Sequence, residues 1–396
     1  MSQGATTKLV AMLIIGLIIG AGIGYLVKPT PSPGPDWVSK AEFDALQADF
    51  NAAQADLDEA EDNIASLQAD LTTALAEIAN LRKPKKIGLI LATGGLGDKS
   101  FNDISFDGVQ RAHDELGIVF DYVEPRAIAE YEGFQRAYAS SGEYALIVCV
   151  GFDQKDALNI VAAEYPQQNF VLIDEIVDKP NVANLLFKAN EGCFLIGALA
   201  GALTVTDKVG FVGGMDIPLI RDFFLGYEAG VEWANPDATV LTPVFVGGWA
   251  DPTKGKEMAL GLADLGADAI FVAAGKSGLG ALEAINERNI TGFGVDACQD
   301  YLYPAFNIVA SQTKRTDNAI YEKILKAILG KFQGGVYTGG VKEKWTGCCR
   351  LGEELEYWEH KFNFTHVPLP TALMNKLYEA RDKIITGEIT VPSAFG

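Results

Sequence analysis

Residues 93–103 read TGGLGDKSFND and follow the apolar run KIGLILA at 86–92. A glycine-rich turn leaving a strand and carrying Lys-Ser suggests phosphate, but the spelling does not fit. A phosphate loop sets Gly directly before Lys-Ser/Thr, so that backbone N–H groups and the ammonium converge on the anion. Here Asp98 separates Gly97 from Lys99. The loop offers a carboxylate acceptor, a flat face in Phe101, and in Asn102 a group that both donates and accepts. The same types recur behind other apolar runs. Phe152 and Asp153 follow ALIVCVG, Asp174 ends FVLID, Trp249 follows VFVGG, Lys276 follows AIFVAAG, and Asp296 ends GFGVD.

That set suits a neutral ligand with hydroxyls and a flat ring. A carboxylate accepts two hydrogen bonds at once, matching vicinal hydroxyls, and an aromatic face buries a base or a pyranose. The ligand-binding candidates are therefore Asp98, Phe101, Asn102, Phe152, Asp174, Trp249, Lys276 and Asp296. Some have a purely local alternative: Asp98 and Ser100 also suit a helix cap, and Phe101 and Trp249 suit packing. AAGKSGLG at 273–280 is a second phosphate-loop near-match, and it fails because Ile270 stands where the upstream glycine belongs.

Catalytic groups are few. The histidines are His113, His360 and His366, none of them behind an apolar strand run, and Gly-x-Ser-x-Gly is absent. The five cysteines, Cys149, Cys193, Cys298, Cys348 and Cys349, show no Cys-x-x-Cys spacing. No enzymatic activity, cofactor or metal site is expected. Cys149 and Cys193 read as core residues; the pairing of the adjacent Cys348 and Cys349 is left open.

The elements that must position these residues are short β-branched runs alternating with helical stretches from Lys86 onward. Apolar strands separated by helices form parallel sheets covered on both faces, and ligands sit beyond their carboxyl ends. The series restarts at KVGFVGG (208–214), which predicts two α/β lobes with a cleft between them.

The N-terminal part is different. LVAMLIIGLIIGAGIGYLV at 9–27 is uncharged between Lys8 and Lys28. Its length of about 28 Å as a helix matches a hydrocarbon core of ~30 Å, so residues 1–28 are expected to be a transmembrane anchor. No cysteine precedes Cys149, which excludes lipid attachment near this segment. A Pro-rich spacer (29–40) leads into a run with Phe43, Leu46, Phe50, Ala53, Leu57, Ala60, Ile64, Leu67, Leu71, Ala74, Ile78 and Leu81 at spacings of three and four. That heptad register predicts a coiled-coil stalk over 41–82, self-associating or folded back on the main domain. The formal net charge is −20, and 11 acidic against 2 basic residues between Asp36 and Arg82 put −9 of it in the stalk. Such acidity argues against nucleic acid and anionic lipid.

GDKSFND followed by SFDGVQRA (105–112) is similar to the signature of the basic membrane protein family, the nucleoside-receptor-like substrate-binding proteins of ABC transporters. GFDQKDA, YPQQNFVLID, NVANLLFKANEGCFLIGALAG, KVGFVGGMDIPLIRDFFLGYEAGV, GVDACQD and ITGEITVP continue the resemblance in order across 86–396. It implies a type I periplasmic-binding-protein fold: two Rossmann-like lobes with a hinge, lobe 1 over 86–205 with part of the C-terminal segment returning to it, lobe 2 over 206–305, and a crossover and C-terminal segment over 306–396. It also implies an extracellular receptor that binds a nucleoside and hands it to a permease and its ATPase. A ligand-sensing ectodomain for a nucleoside or sugar-like solute is the alternative. Among the site residues, Asp98, Phe101, Asn102, Asp174 and Asp296 match family motifs. Cys298 departs from the family pattern, standing where relatives carry an acid.

Overall fold

Residues 39–82, 85–303 and 307–395 are described by the structure, a computed structural model. The expected anchor at 9–27 and most of the spacer lie outside the described residues. Among the described residues no helix is long and apolar enough to cross a membrane.

The chain divides into two compact units, 1–83 and 84–396. In the first, helix α1 (Lys40–Arg82) runs for 43 residues, about 65 Å at ~1.5 Å per residue. Ser39 and Glu42 start it with a reciprocal capping box: Ser39 N–H donates to Glu42 Oε2 (2.8 Å), and Glu42 N–H donates to Ser39 Oγ (3.3 Å). The expected helix is present. Along its heptad stripe, Leu46, Leu57, Ile64, Leu67 and Leu71 are exposed.

The second unit holds two sheets. The first lobe begins β1 (Lys86–Ile90), α2 (Phe101–Leu116), β2 (Val119–Val123), α3 (Tyr131–Ser141), β3 (Tyr144–Cys149), α4 (Lys155–Glu164), β4 (Phe170–Ile173) and β5 (Val182–Phe187). The second contains α5 (Ala189–Leu203), β6 (Lys208–Gly213), α6 (Pro218–Ala234), β7 (Thr239–Val240), β8 (Val244–Phe245), α7 (Pro252–Asp264), β9 (Ala269–Ala273), α8 (Gly275–Arg288), β10 (Thr291–Gly294) and β11 (Ile308–Lys314). The chain then returns to the first lobe for α9 (Thr316–Ile328) and β12 (Gly335–Gly339). It ends in the second with β13 (Thr346–Cys348), α10 (Glu353–Phe362) and α11 (Thr371–Thr386).

Strand order is β12-β5-β4-β3-β1-β2 in one sheet and β13-β11-β10-β9-β6-β7 in the other, with β8 also on β6. All pairs are parallel except β11 with β13. The run read as one strand at 239–248 is two short ones, because Pro243 cannot donate to the ladder. The expected first-lobe boundary at 205 is corrected: α5 buries Ala189, Cys193, Phe194 and Leu199 in one cluster with Val209, Phe211 and Phe271. The chain therefore changes lobes at Lys188. It changes back at Arg315 and again over 340–345. These crossovers are laced together, Lys188 N–H donating to Gly339 O (2.9 Å) and Arg315 N–H to Trp345 O (2.8 Å).

Helices α5 and α6 pack unusually close. A Cβ on Gly197 would run into the Tyr227 carbonyl oxygen, and one on Gly230 into that of Phe194. Backbone cannot give way as a flexible side chain can, so these positions admit no methyl without moving a helix. Gly197→Ala and Gly230→Ala are each expected to destabilise the protein by about 1–3 kcal/mol in thermal or urea unfolding. Gly133→Ala, on the open face of α3 with no atom within 4 Å of the added methyl, should be neutral or gain up to ~1 kcal/mol. Equal behaviour of the three variants would contradict the close approach.

Candidate functional site

A cleft lies between the lobes, and all eight candidate residues line it: Asp98, Phe101, Asn102, Phe152, Asp174, Trp249, Lys276 and Asp296. Each sits just beyond the carboxyl end of a parallel strand. Asp98, Phe101 and Asn102 follow β1, Phe152 follows β3, and Asp174 follows β4. Trp249 follows β8, Lys276 opens α8 behind β9, and Asp296 follows β10.

The β1 loop is organised by Asp98. Its Oδ1 accepts from the N–H groups of Ser100 (2.9 Å) and Asp103 (3.1 Å), and its Oδ2 from Asn102 N–H (2.9 Å) and Asn102 Nδ2 (3.2 Å). Those four donors occupy the carboxylate, which ties down the free N–H groups at the start of α2. Asp98 therefore holds the loop in shape while lining the cleft. Burial pushes its carboxyl up to about 6. Asn102 is locked in turn, its Oδ1 accepting from Ala92 N–H (2.9 Å), which leaves one amide hydrogen to face the cleft.

Asp174 and Asp296 both take left-handed backbone conformations, with φ of 70° and 63°. Aspartate tolerates that region better than most residues, and such strain collects at functional sites. Between them stands a residue the sequence reading missed, Lys314, the last residue of β11. Its Nζ lies 2.5 Å from Asp174 Oδ2, with both side chains almost fully buried. It also lies 4.9 Å from the Phe101 ring centroid and 5.7 Å from that of Phe223. Asp174 and Phe101 belong to the first lobe, Lys314 to the second. Ser100 adds a second tie, its hydroxyl donating to Asp296 Oδ2 at 2.6 Å. Burial raises the Asp296 carboxyl, and Lys314 and the Ser100 hydrogen bond pull against that rise.

Two further residues line the cleft: Asp153, already placed behind ALIVCVG by the sequence, and Phe223, which the sequence did not single out. Asp153 accepts from the Tyr131 hydroxyl through Oδ2 (3.1 Å), while its Oδ1 is buried with no hydrogen-bond partner among the described residues. A buried, unpaired carboxyl oxygen in a cleft is costly and marks a place for a donor. Phe223, from α6, supplies an aromatic wall opposite the first lobe. Trp249 lies flat against Gly214, where any Cβ would overlap its ring. Lys314 was legible in principle, since it ends a strand as the other candidates do, but IVASQTK is too polar to read as one.

Lys314→Met leaves the Asp296 carboxyl without its opposing charge, so its folded-state pKa, already raised, rises further. A carboxyl raised on folding contributes stability below its unfolded value of about 3.9 and loses it as pH climbs through the folded value. The stability deficit of Lys314→Met against the natural protein should be small near pH 4 and widen toward about 3–5 kcal/mol by pH 7. A deficit that does not change with pH would remove the electrostatic role.

Comparisons with known proteins agree with this geometry. A family model described as ABC transporter substrate-binding protein, PnrA-like, matches residues 85–394. An uncharacterized lipoprotein of Pyrococcus horikoshii is 34% identical, with 67% of this chain and 69% of the relative covered. Basic membrane protein A of Borreliella burgdorferi is 31% identical over 78% of this chain and 88% of the relative. A solved ABC transporter solute-binding protein from Aeropyrum pernix superposes with a TM-score of 0.69 at 30% identity, covering 78% of this chain and 94% of that one. Such proteins bind small molecules and work with a permease and its ATPase. With its two α/β lobes, its interlobe cleft and a family match over nearly all of the second unit, the chain belongs to the PnrA-like family of ABC transporter substrate-binding proteins.

Proposed function

We propose that this protein binds a nucleoside between its lobes and delivers it to an ABC permease. The observation that carries the reading is the pairing, in one cleft, of aromatic faces (Phe101, Phe152, Phe223, Trp249) with the carboxyls of Asp153, Asp174 and Asp296. Rings sandwich a base, and the carboxyls take ribose hydroxyls. Four aspartates against Lys276 and Lys314 among the lining residues favour an uncharged ligand over a phosphorylated one. The Arg315 and Lys188 crossovers serve as hinges for closure.

A thermal-shift screen of residues 84–396 tests the ligand class, because a ligand that binds only the folded state raises the midpoint by mass action. Nucleosides are expected to raise it, and nucleotides and free phosphate are not. Asp296→Ala should abolish most of the shift. Nucleotides binding as well as nucleosides would sink the carboxylate argument.

We further infer that residues 9–27 anchor the protein in the cell membrane with the binding unit outside, and that α1 self-associates through its exposed heptad stripe. The uncharged N-terminal run and the exposure of Leu46, Leu57, Ile64, Leu67 and Leu71 support this. Removing residues 1–28 should move the protein from the membrane fraction to the supernatant as an oligomer. Further removal of 39–82 should leave a single-chain mass in sedimentation. Release without the first deletion, or a monomer with α1 intact, contradicts the respective half.

A further inference from the structure

Away from the cleft, the chain brings together four side chains that the sequence keeps far apart. Cys298 and Asp300 lie in the loop after β10, Cys349 directly follows β13, and His366 lies beyond α10. Their ligand atoms all fall within 4.8 Å of one another, and all four residues are buried. We propose that Cys298, Asp300, Cys349 and His366 form a structural site for a zinc-type divalent cation.

Three of the ligand pairs already have the spacing of a tetrahedral zinc site. Zinc bonds of ~2.0 Å to nitrogen or oxygen and ~2.3 Å to sulfur place neighbouring ligand atoms about 3.3–3.8 Å apart. Cys298 Sγ lies 3.4 Å from His366 Nε2, His366 Nε2 lies 3.4 Å from Asp300 Oδ2, and Cys349 Sγ lies 3.7 Å from Asp300 Oδ1 and Oδ2. Four ligands of mixed sulfur, nitrogen and oxygen leave no open position, as in closed structural sites.

The surroundings hold each ligand in a binding orientation. Glu359 Oε1 lies 3.2 Å from His366 Nδ1, on the side of the ring away from the cluster, the usual carboxylate behind a zinc histidine. The same oxygen accepts from the His366 backbone N–H at 2.8 Å. The Ser311 hydroxyl donates to Asp300 Oδ1 at 2.8 Å. Charge also balances. Two thiolates and a carboxylate around a doubly charged cation leave one negative charge, and the Arg350 guanidinium stands 3.5 Å from Asp300 Oδ2. Binding would release the two thiol protons to water.

The site would fasten the loop that carries Asp296 to β13 and to the chain beyond α10. Gln299, between two of the ligands, reaches the other lobe by donating to the Lys99 carbonyl at 3.1 Å. Ile104, from α2, packs against Ala297, Cys298 and Cys349. A cation here would stiffen the platform from which Asp296 meets the first lobe. Cys348, one residue away, packs in the main second-lobe core.

The test is metal content and cobalt spectroscopy on the full chain, purified with a phosphine reductant and no chelator. About one zinc per chain is expected by elemental mass spectrometry. Cobalt substitution should give tetrahedral d–d bands and a thiolate charge-transfer band. Cys298→Ser and Cys349→Ser should each lose most of the metal and weaken the charge-transfer band, whereas Cys348→Ala should keep both. Stripping the natural protein with a strong chelator should lower its thermal midpoint, and added zinc should restore it. Because the unsubstituted chain is measured first, a variant that fails to fold does not decide the matter. Less than ~0.1 zinc or cobalt per reduced chain, a cobalt spectrum without thiolate bands, or full metal retention in both serine variants overturns the proposal.

Discussion

Lys314 is the cation around which the cleft is built. Its ammonium meets Asp174 across the lobe boundary, lies near the Phe101, Phe187 and Phe223 rings, and opposes the charge of Asp296. Buried carboxylates without a counter-charge are costly enough to shift toward the neutral acid. One lysine therefore lets two aspartates stand in a largely apolar cleft. It also ties the first lobe to the second, because the partners come from β11 and from the end of β4. In the proposed nucleoside reading, the same carboxyls would exchange some of that pairing for ribose hydroxyls, which couples ligand contact to lobe closure.

That arrangement depends on rigid supports behind it. The β1 loop is shaped by Asp98, whose four accepted hydrogen bonds set Asn102 and Phe101 at the start of α2. In the second lobe, α5 and α6 meet backbone to backbone at Gly197 and Gly230, which brings Phe223 and Ile220 of α6 to the cleft wall. Trp249 gains its position from the bare backbone of Gly214. The glycines carry no polar side chain at all, yet they decide where the groups beside them stand.

Much of the cleft was legible because parallel sheets put ligands at strand ends. Asp174, Asp296, Phe152 and Lys276 follow apolar runs that read plainly as strands, and they line one cavity. Lys314 was hidden because β11 ends in Ser-Gln-Thr-Lys, polar residues whose burial comes from tertiary contacts, those with β10 and β13 among them. The first-lobe boundary was misplaced because the apolar run of α5 fits either lobe; its small residues suit α6, and that partner is remote in sequence. At Asp98 the sequence left a cap and a ligand acceptor undistinguished, since the two have the same spelling.

By itself the sequence determined the alternation of strands and helices, hence two α/β lobes, the positions of the strand ends, and a long helix over 41–82. Those follow from periodicity and local hydrogen bonding, which act between near neighbours. Only the tertiary structure decided which charges meet, which carboxyl oxygen of Asp153 goes unpaired, and that Cys298, Asp300, Cys349 and His366 converge. Electrostatic and ligand geometry depend on distances of a few ångströms between residues far apart in the chain. Those distances are set by sheet order and crossovers, and no local pattern records them.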